Sequence, residues 1–222
     1  MSKILPFDYQ NLIQENHKIG VLSLQGDFAA HIKSLSIYKI NAIQVKTIET
    51  LQEVHSLIIP GGESSTLLKL IDDPLKNAIL ERARNQMPIL ATCAGAILLA
   101  KNVENPSQES LDLIDITVRR NAYGRQLDSF IEAELEAGDN LKEFYPEISA
   151  KAGISFEGVF IRAPKILACG KNVKIILKRK NEPVLVTEKN IIAACFHPEL
   201  SNQPHIAYLM LFNLIAKGFT NR

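Results

Sequence analysis

Three side chains of this 222-residue sequence have the type and setting for nucleophilic, covalent chemistry: Cys93, His197 and Glu199. Cys93 lies in the run Pro88-Ile-Leu-Ala-Thr-Cys93-Ala-Gly95-Ala-Ile-Leu-Leu-Ala100. The residues before it form a short apolar stretch, as a buried parallel strand requires, and those after it have the Ala and Leu content of a helix packed on a sheet. A strand that turns sharply into a helix at a single nucleophile holds that side chain clear of the sheet. It also aims the helix N-terminus at the sulfur, which favours thiolate over thiol. Ala91, Ala94 and Gly95 are small enough for so tight a turn. Taken alone, a cysteine in an apolar run is more often a small buried hydrophobe, and it becomes a candidate nucleophile only when a histidine can pair with it.

That histidine stands in Ile191-Ile-Ala-Ala-Cys-Phe-His197-Pro198-Glu199. The run before it reads as another buried strand, and Pro198 biases His197 toward extended geometry. Residues two apart in an extended segment share a side, so His197 and Glu199 are expected to face one site as a base and its orienting carboxylate. A strand-end histidine beside a solvated glutamate is the plainer alternative; together with Cys93, the triad is preferred. The other two cysteines, Cys169 and Cys195, are not at a strand-to-helix elbow.

The elements that must hold these groups follow from the chain in order. Lys18 to Leu24 is expected as a first central strand, Gln25-Gly26-Asp27 as its end, and Phe28 to Tyr38 as a helix opened by Asp27. His31 falls in that helix and reads as a packed or surface histidine. Asn41 to Val45 and Leu57 to Ile59 are expected strands, with a short helix or turn over Glu49 to Val54. The third strand runs into Pro60-Gly61-Gly62-Glu63-Ser64-Ser65-Thr66. The two glycines let this loop present N–H groups to an oxyanion, although an ordinary turn capped by Ser64 or Ser65 has the same composition. Its place at the carboxyl end of a parallel strand favours a ligand site. Leu67 to Ile71 and Leu75 to Asn85 read as helix, broken at Asp73-Pro74.

After the Cys93 helix, Val103 to Glu109 is expected to be a polar loop and Ile114 to Val118 a strand. That strand delivers Arg119-Arg120-Asn121-Ala-Tyr123-Gly124-Arg125-Gln126, a plausible clamp for an anionic substrate end or simply a set of solvated arginines. Phe130 to Glu136 reads as an edge strand, Leu141 to Tyr145 as a short helix in a polar loop, and Phe156 to Arg162 as a strand. Val173 to Lys178 and Pro183 to Thr187 form a hairpin around Lys180-Asn181, and Pro204 to Ala216 a last amphipathic helix. The expected fold class is therefore α/β: a mostly parallel twisted sheet flanked by helices, with a small antiparallel annex. Residues 1–18 read as an extension without assigned function and 19–217 as one domain.

Composition narrows the function. Hydrophobic residues make up 46% and charged residues 22%, with a net charge of +1, as in ordinary globular domains. No nucleic-acid partner is expected, and no apolar stretch is long enough for a bilayer. The first eighteen residues lack the basic start and apolar centre of a secretory signal. Three cysteines without CxxC or HExxH spacing suit a reducing compartment and argue against a zinc site. The expected location is the cytoplasm, and no metal or cofactor is expected.

With GGES, TCAG, RRNAYGRQ, IRAP and FHPE placed, the chain resembles the glutaminase subunits of pyridoxal 5'-phosphate synthases. These lie within the class I, or triad, glutamine amidotransferases, whose fold is flavodoxin-like. The resemblance runs from Ile19 to Ala216. TCAG and HPE mark the wider class; LQGDFAAH, PGGESST, RNAYGRQLDSF and VFIRAP point to the one family. It implies Cys93 as nucleophile, His197 as base and Glu199 as orienting acid, with the backbone N–H groups of Gly62 and Ala94 as oxyanion hole. Glutamine contacts are implied at Gly62, Glu63, Ser64, Arg120, Ile161 and Arg162, and a part in activation at Gln25. It further implies L-glutamine as substrate and a (β/α)8 synthase subunit as partner in a large hetero-oligomer. Ala91 replaces the glycine usual two residues before the nucleophile, and the N-terminal extension and the loop at 140–153 are not typical of the family. The rival readings are the glutaminase of another amidotransferase, such as imidazole glycerol phosphate synthase, and a non-catalytic flavodoxin-like binding domain. The RNAYGRQ and IRAP segments disfavour the first, and the intact Cys93, His197 and Glu199 set disfavours the second.

Overall fold

A computed structural model describes residues 17–122, 129–144 and 154–220. Its centre is an eight-stranded sheet. Five strands run parallel: β1 (Ile19–Leu22), β2 (Ala42–Val45), β3 (Ser56–Ile59), β4 (Ile89–Thr92) and β13 (Ile191–Ala194). Their spatial order is β2-β1-β3-β4-β13. Every residue of β1, β3, β4 and β13 is buried. That is why their sequences are unbroken apolar runs: both faces of a parallel sheet lie under helices. Each fully buried Ile, Leu or Val there contributes roughly 1.5–3 kcal/mol.

The helices that cover the sheet are α1 (Phe28–Ile37), α2 (Ile48–Gln52), α3 (Ser64–Leu70), α4 (Asp73–Arg84), α5 (Ala94–Leu99), the single turn α6 (Leu141–Phe144) and α7 (Ile206–Thr220). α1 packs on β1 and β2, while α5 and α7 both pack on β4 and β13. The break at Asp73-Pro74 falls at the start of α4, where Asp72 caps the helix by accepting from the Leu75 N–H at 2.9 Å and Pro74 sits in the first turn. Among the described residues no helix is long and apolar enough to cross a membrane.

The antiparallel part is built on the same sheet. β12 (Glu182–Glu188) pairs with β13, β11 (Lys174–Arg179) with β12, and β8 (Glu136–Ala137) with β11. The hairpin closes at Lys180 and Asn181, both with positive φ, as a two-residue turn between twisted strands requires. Beside it lie a sheet of β10 (Lys165–Cys169), β6 (Ile114–Arg119) and β5 (Ala100–Glu104), and a pair of β7 (Phe130–Glu132) with β9 (Gly158–Phe160).

Three local readings are corrected. The chain leaves α5 straight into β5, so Val103 and Glu104 are strand rather than loop. Only Ala100 and Val103 of β5 are buried, and so polar a strand at a sheet edge carries a loop-like sequence. β10, which follows Pro164, was not anticipated. The expected strand from Phe130 to Glu136 is split into β7 and β8, which join different sheets.

Along β1 the neighbours are β2 on one side and β3 on the other. The chain thus changes direction across the sheet at β1, and a crevice opens at the carboxyl ends of the strands. The segments leaving β1, β3, β4 and β13 there are Gln25 to Asp27, Gly61 to Ser64, Cys93 and His197 to Glu199.

Candidate active site

Cys93 is the hinge between β4 and α5. Its φ of 47° and ψ of −104° lie outside the comfortable regions for an L-residue, a strain on the order of 1–3 kcal/mol that surrounding packing must hold. The hold is visible: the Cys93 N–H donates to Ala194 O at 2.8 Å, and its carbonyl accepts from Ile97 in α5. Gly95 lets α5 lie directly on β3, since a Cβ there would come within 2.2 Å of Ile59 O. Ala91 is fully buried in β4, where its methyl is accommodated. The sulfur points into the pocket, 3.9 Å from Ile161 O.

His197 follows β13, anchored by its N–H to Val159 O at 2.9 Å. Its Nδ1 is 2.7 Å from Glu199 Oε1, and it shares the cavity with Cys93. The spacing of the pair arises differently from expectation. Glu199 belongs to a 3-10 turn, Pro198–Leu200, and this turn, not strand alternation, brings its carboxylate back to the imidazole. Both residues are buried. Burial disfavours charge on His197, but Cys93 and Glu199 outweigh it and raise its pKa. Burial likewise opposes the Glu199 carboxylate, and His31 and His197 outweigh that, holding its pKa low. The other thiols are poor nucleophiles: burial pushes Cys169 up to about 11 and Cys195 higher still.

The glycine loop lies against this pair. A Cβ on Gly61 would sit 2.5 Å from His197 Cε1 and 3.3 Å from Cys93 Cβ, so only glycine lets the loop approach both. Gly62 has a φ of +136°, and a Cβ there would strike Gln25 Oε1 at 2.3 Å. Gln25 props the loop by accepting from the Glu63 N–H at 3.2 Å. Glu63, rather than Ser64 or Ser65, caps α3, accepting from Thr66 N and Ser65 Oγ, both at 2.6 Å. Its other oxygen receives Arg120 Nη2 at 3.0 Å. Burial tends to raise the Glu63 pKa, but the Ser65 and Thr66 bonds bring it down to about 2. Ser64 is buried and bonded to Gln108 at 2.8 Å.

One cavity of about 190 Å³ gathers Cys93, His197, Gly62, Glu63, Ser64, Arg120, Ile161 and Arg162. Glu199 stands behind His197, Gln25 beneath Gly62, and Ala94 opens α5 next to Cys93. Tyr123 to Gln126 of the arginine segment, most of the extension and residues 145–153 of the loop lie outside the described residues. Asp27 was missed. It occupies the N-cap position of α1 without a side-chain cap bond, and its carboxylate instead enters the cavity, 3.8 Å from His197 Nδ1. Asp27, His197 and Glu199 offer atoms within 4.8 Å of one another, a spacing a metal could use, but Nδ1 of His197 is already engaged by Glu199. The signal for Asp27 was its position directly after a central strand.

A parallel α/β sheet with a cysteine at such an elbow, facing a buried His–Glu pair, defines the class of glutamine amidotransferases. A solved glutamine amidotransferase matches it with a TM-score of 0.75 and 37% identity, covering 90% of this chain and 98% of its own. Residues 21–215 match the SNO glutamine amidotransferase family, and the chain belongs to that family. Pyridoxal 5'-phosphate synthase subunit PdxT of Thermotoga sp. (strain RQ2) is 46% identical over 186 residues, 83% of this chain and 93% of that protein. The protein of the same name from Koribacter versatilis (strain Ellin345) is 44% identical over 200 residues, covering 87% and 94%.

Proposed function

We propose that this chain is the glutaminase subunit of a pyridoxal 5'-phosphate synthase, hydrolysing L-glutamine to glutamate and ammonia and handing the ammonia to a synthase partner. The observation that carries this reading is the convergence, in one cavity, of Cys93 on its strained elbow, the buried His197–Glu199 pair and the Glu63–Arg120 pair. Family membership and the PdxT relatives support it.

Arg120 and Arg162 receive the α-carboxylate of glutamine, and Glu63 keeps Arg120 in place. Cys93 Sγ attacks the side-chain amide carbon. The backbone N–H groups of Gly62 and Ala94 take the oxyanion as the carbonyl π bond opens. His197 protonates the nitrogen; the C–N bond breaks and ammonia leaves a γ-glutamyl thioester on Cys93. Water, deprotonated by His197, adds to the thioester carbon, and the C–S bond breaks to give glutamate and the thiolate. Glu199 holds the imidazole and steadies its charge in both steps.

The partner is a (β/α)8 synthase subunit docking over the carboxyl ends of the strands in a large cytoplasmic hetero-oligomer. Glycine at 61 and 62 leaves the oxyanion loop several backbone states, and docking selects the productive one, with Gln25 as the prop that transmits it. Ammonia release by the purified chain is therefore slow and rises on the order of a hundredfold with the synthase subunit. Full activity of the lone chain defeats the gating; no glutamine hydrolysis with or without the partner defeats the whole reading.

A further inference from the structure

A histidine outside the expected triad lies against its acid. His31, from α1, is fully buried. Its Nε2 is 3.3 Å from Glu199 Oε2 and 3.2 Å from Thr92 Oγ1, and its Nδ1 is 2.8 Å from Tyr208 Oη on α7. Glu199 uses Oε1 for His197. Its Oε2 is buried, and no hydrogen bond of ordinary geometry reaches it among the described residues, so the His31 nitrogen is the polar group that faces it. A buried carboxylate oxygen needs such a donor, and the donor then fixes how the carboxylate sits.

We propose that His31 is a positioning residue for the glutaminase reaction, holding the second oxygen of Glu199 so that the first stays aligned on His197. The inference rests on the reading of Cys93, His197 and Glu199 given above. In the tautomer this role requires, Tyr208 Oη–H donates to His31 Nδ1 and the ring proton sits on Nε2, toward Thr92 and Glu199. Burial lowers the His31 pKa against the pull of Glu199, and the 3.3 Å approach of Nε2 to Oε2 is the contact that places the carboxylate. Thr92 is the residue before the nucleophile, so the same ring ties β4, α1, α7 and the Pro198–Leu200 turn into one buried polar chain.

The test is steady-state glutaminase kinetics of the full chain with its synthase partner, comparing wild type with His31→Leu, His31→Gln and Tyr208→Phe. His31→Leu lowers kcat on the order of tenfold or more with KM within about twofold, since an oxygen of a buried carboxylate loses its neighbour. His31→Gln, whose amide N–H can stand in for Nε2–H, returns kcat to within about threefold of wild type. Tyr208→Phe, which keeps the ring but loses the tautomer lock, lies between. A wild-type kcat in His31→Leu, a loss confined to KM, or His31→Gln no better than His31→Leu overturns the inference. If His31→Leu does not fold, an unchanged kcat in Tyr208→Phe overturns it. Wild type inert toward glutamine overturns the underlying reading and this inference with it, whereas active wild type with an unaffected His31→Leu overturns this inference alone.

Discussion

The two walls of the pocket are built from different material. The wall carrying Cys93, His197 and Glu199 grows out of β4 and β13, strands buried along their whole length, and His197 and Glu199 are bonded to each other inside the core. The opposite wall carries Arg120, Ile161 and Arg162. It grows from β6 and β9 of the small sheets, through Arg120, whose N–H bonds Glu104 O at 3.0 Å, and through Arg162, exposed and at a φ of 45°. On the proposed function, the groups that must keep one geometry through bond making and breaking sit where packing over-determines them. On the same reading, the groups that admit and release the charged substrate sit on the smaller sheets at the edge, Arg120 held by Glu63 and Arg162 exposed. The contrast implies a division of labour: changes on the buried wall should act on kcat, and changes on the outer wall on KM.

The division is broken or sharpened most strongly by Glu199→Gln. It leaves the shape of the buried wall but removes the charge behind His197, and kcat should fall on the order of a thousandfold with little change in KM. A change in KM alone would move Glu199 to the binding side. Arg120→Ala should do the reverse, raising KM for glutamine roughly tenfold to a hundredfold, the worth of a charge-assisted hydrogen bond, with kcat within a few-fold of wild type. An equal fall in kcat would mean that the outer wall takes part in the reaction.

The smallest effect concerns the link between the walls. Glu63, held at about 2 in the folded chain, has an ordinary carboxylate pKa of about 4.3 once unfolded. Its contribution is therefore complete above the unfolded value and is lost as pH falls from there toward 2. The side chain is 43% exposed, so solvent screening keeps that contribution below about 1 kcal/mol. Urea midpoints of wild type and Glu63→Gln should differ slightly at pH 7 and less at pH 3. A difference that does not shrink contradicts the assignment.

The same contrast explains what could be read from the sequence. β1, β3, β4 and β13 are buried on both faces, so they stand out as apolar runs, and the residues that leave their carboxyl ends, Gly61, Gly62, Cys93 and His197, stand out with them. β5 lies at a sheet edge and is mostly polar, which hides it among loops, and β10, at the other edge of the same sheet, is a short run with only Ile166 buried, too brief and exposed to stand out as a core strand. The turn that returns Glu199 to His197 was masked by Pro198, whose effect on the preceding residue is local and says nothing of the residue after it. Asp27 passed for a helix cap because Asp before an apolar helical run usually is one; only the fold shows the carboxylate turned to the pocket. His31 carried a faint signal, a polar side chain on the same buried helix face as Ser34 and Leu35. Its partners are 61, 168 and 177 residues away in sequence, and spacing within one helix cannot reveal them.

The central claim is that Cys93 is the one cysteine that enters covalent chemistry with glutamine. Peptide mass mapping of the chain, assembled with its synthase partner and exposed to the glutamine-derived electrophile diazo-oxo-norleucine, tests it directly. One adduct is expected, on Cys93, suppressed by excess glutamine and absent from Cys169 and Cys195; glutamine hydrolysis should stop in proportion to its formation. Labelling of another residue with Cys93 unmodified, or undiminished hydrolysis by chains fully labelled at Cys93, would contradict it.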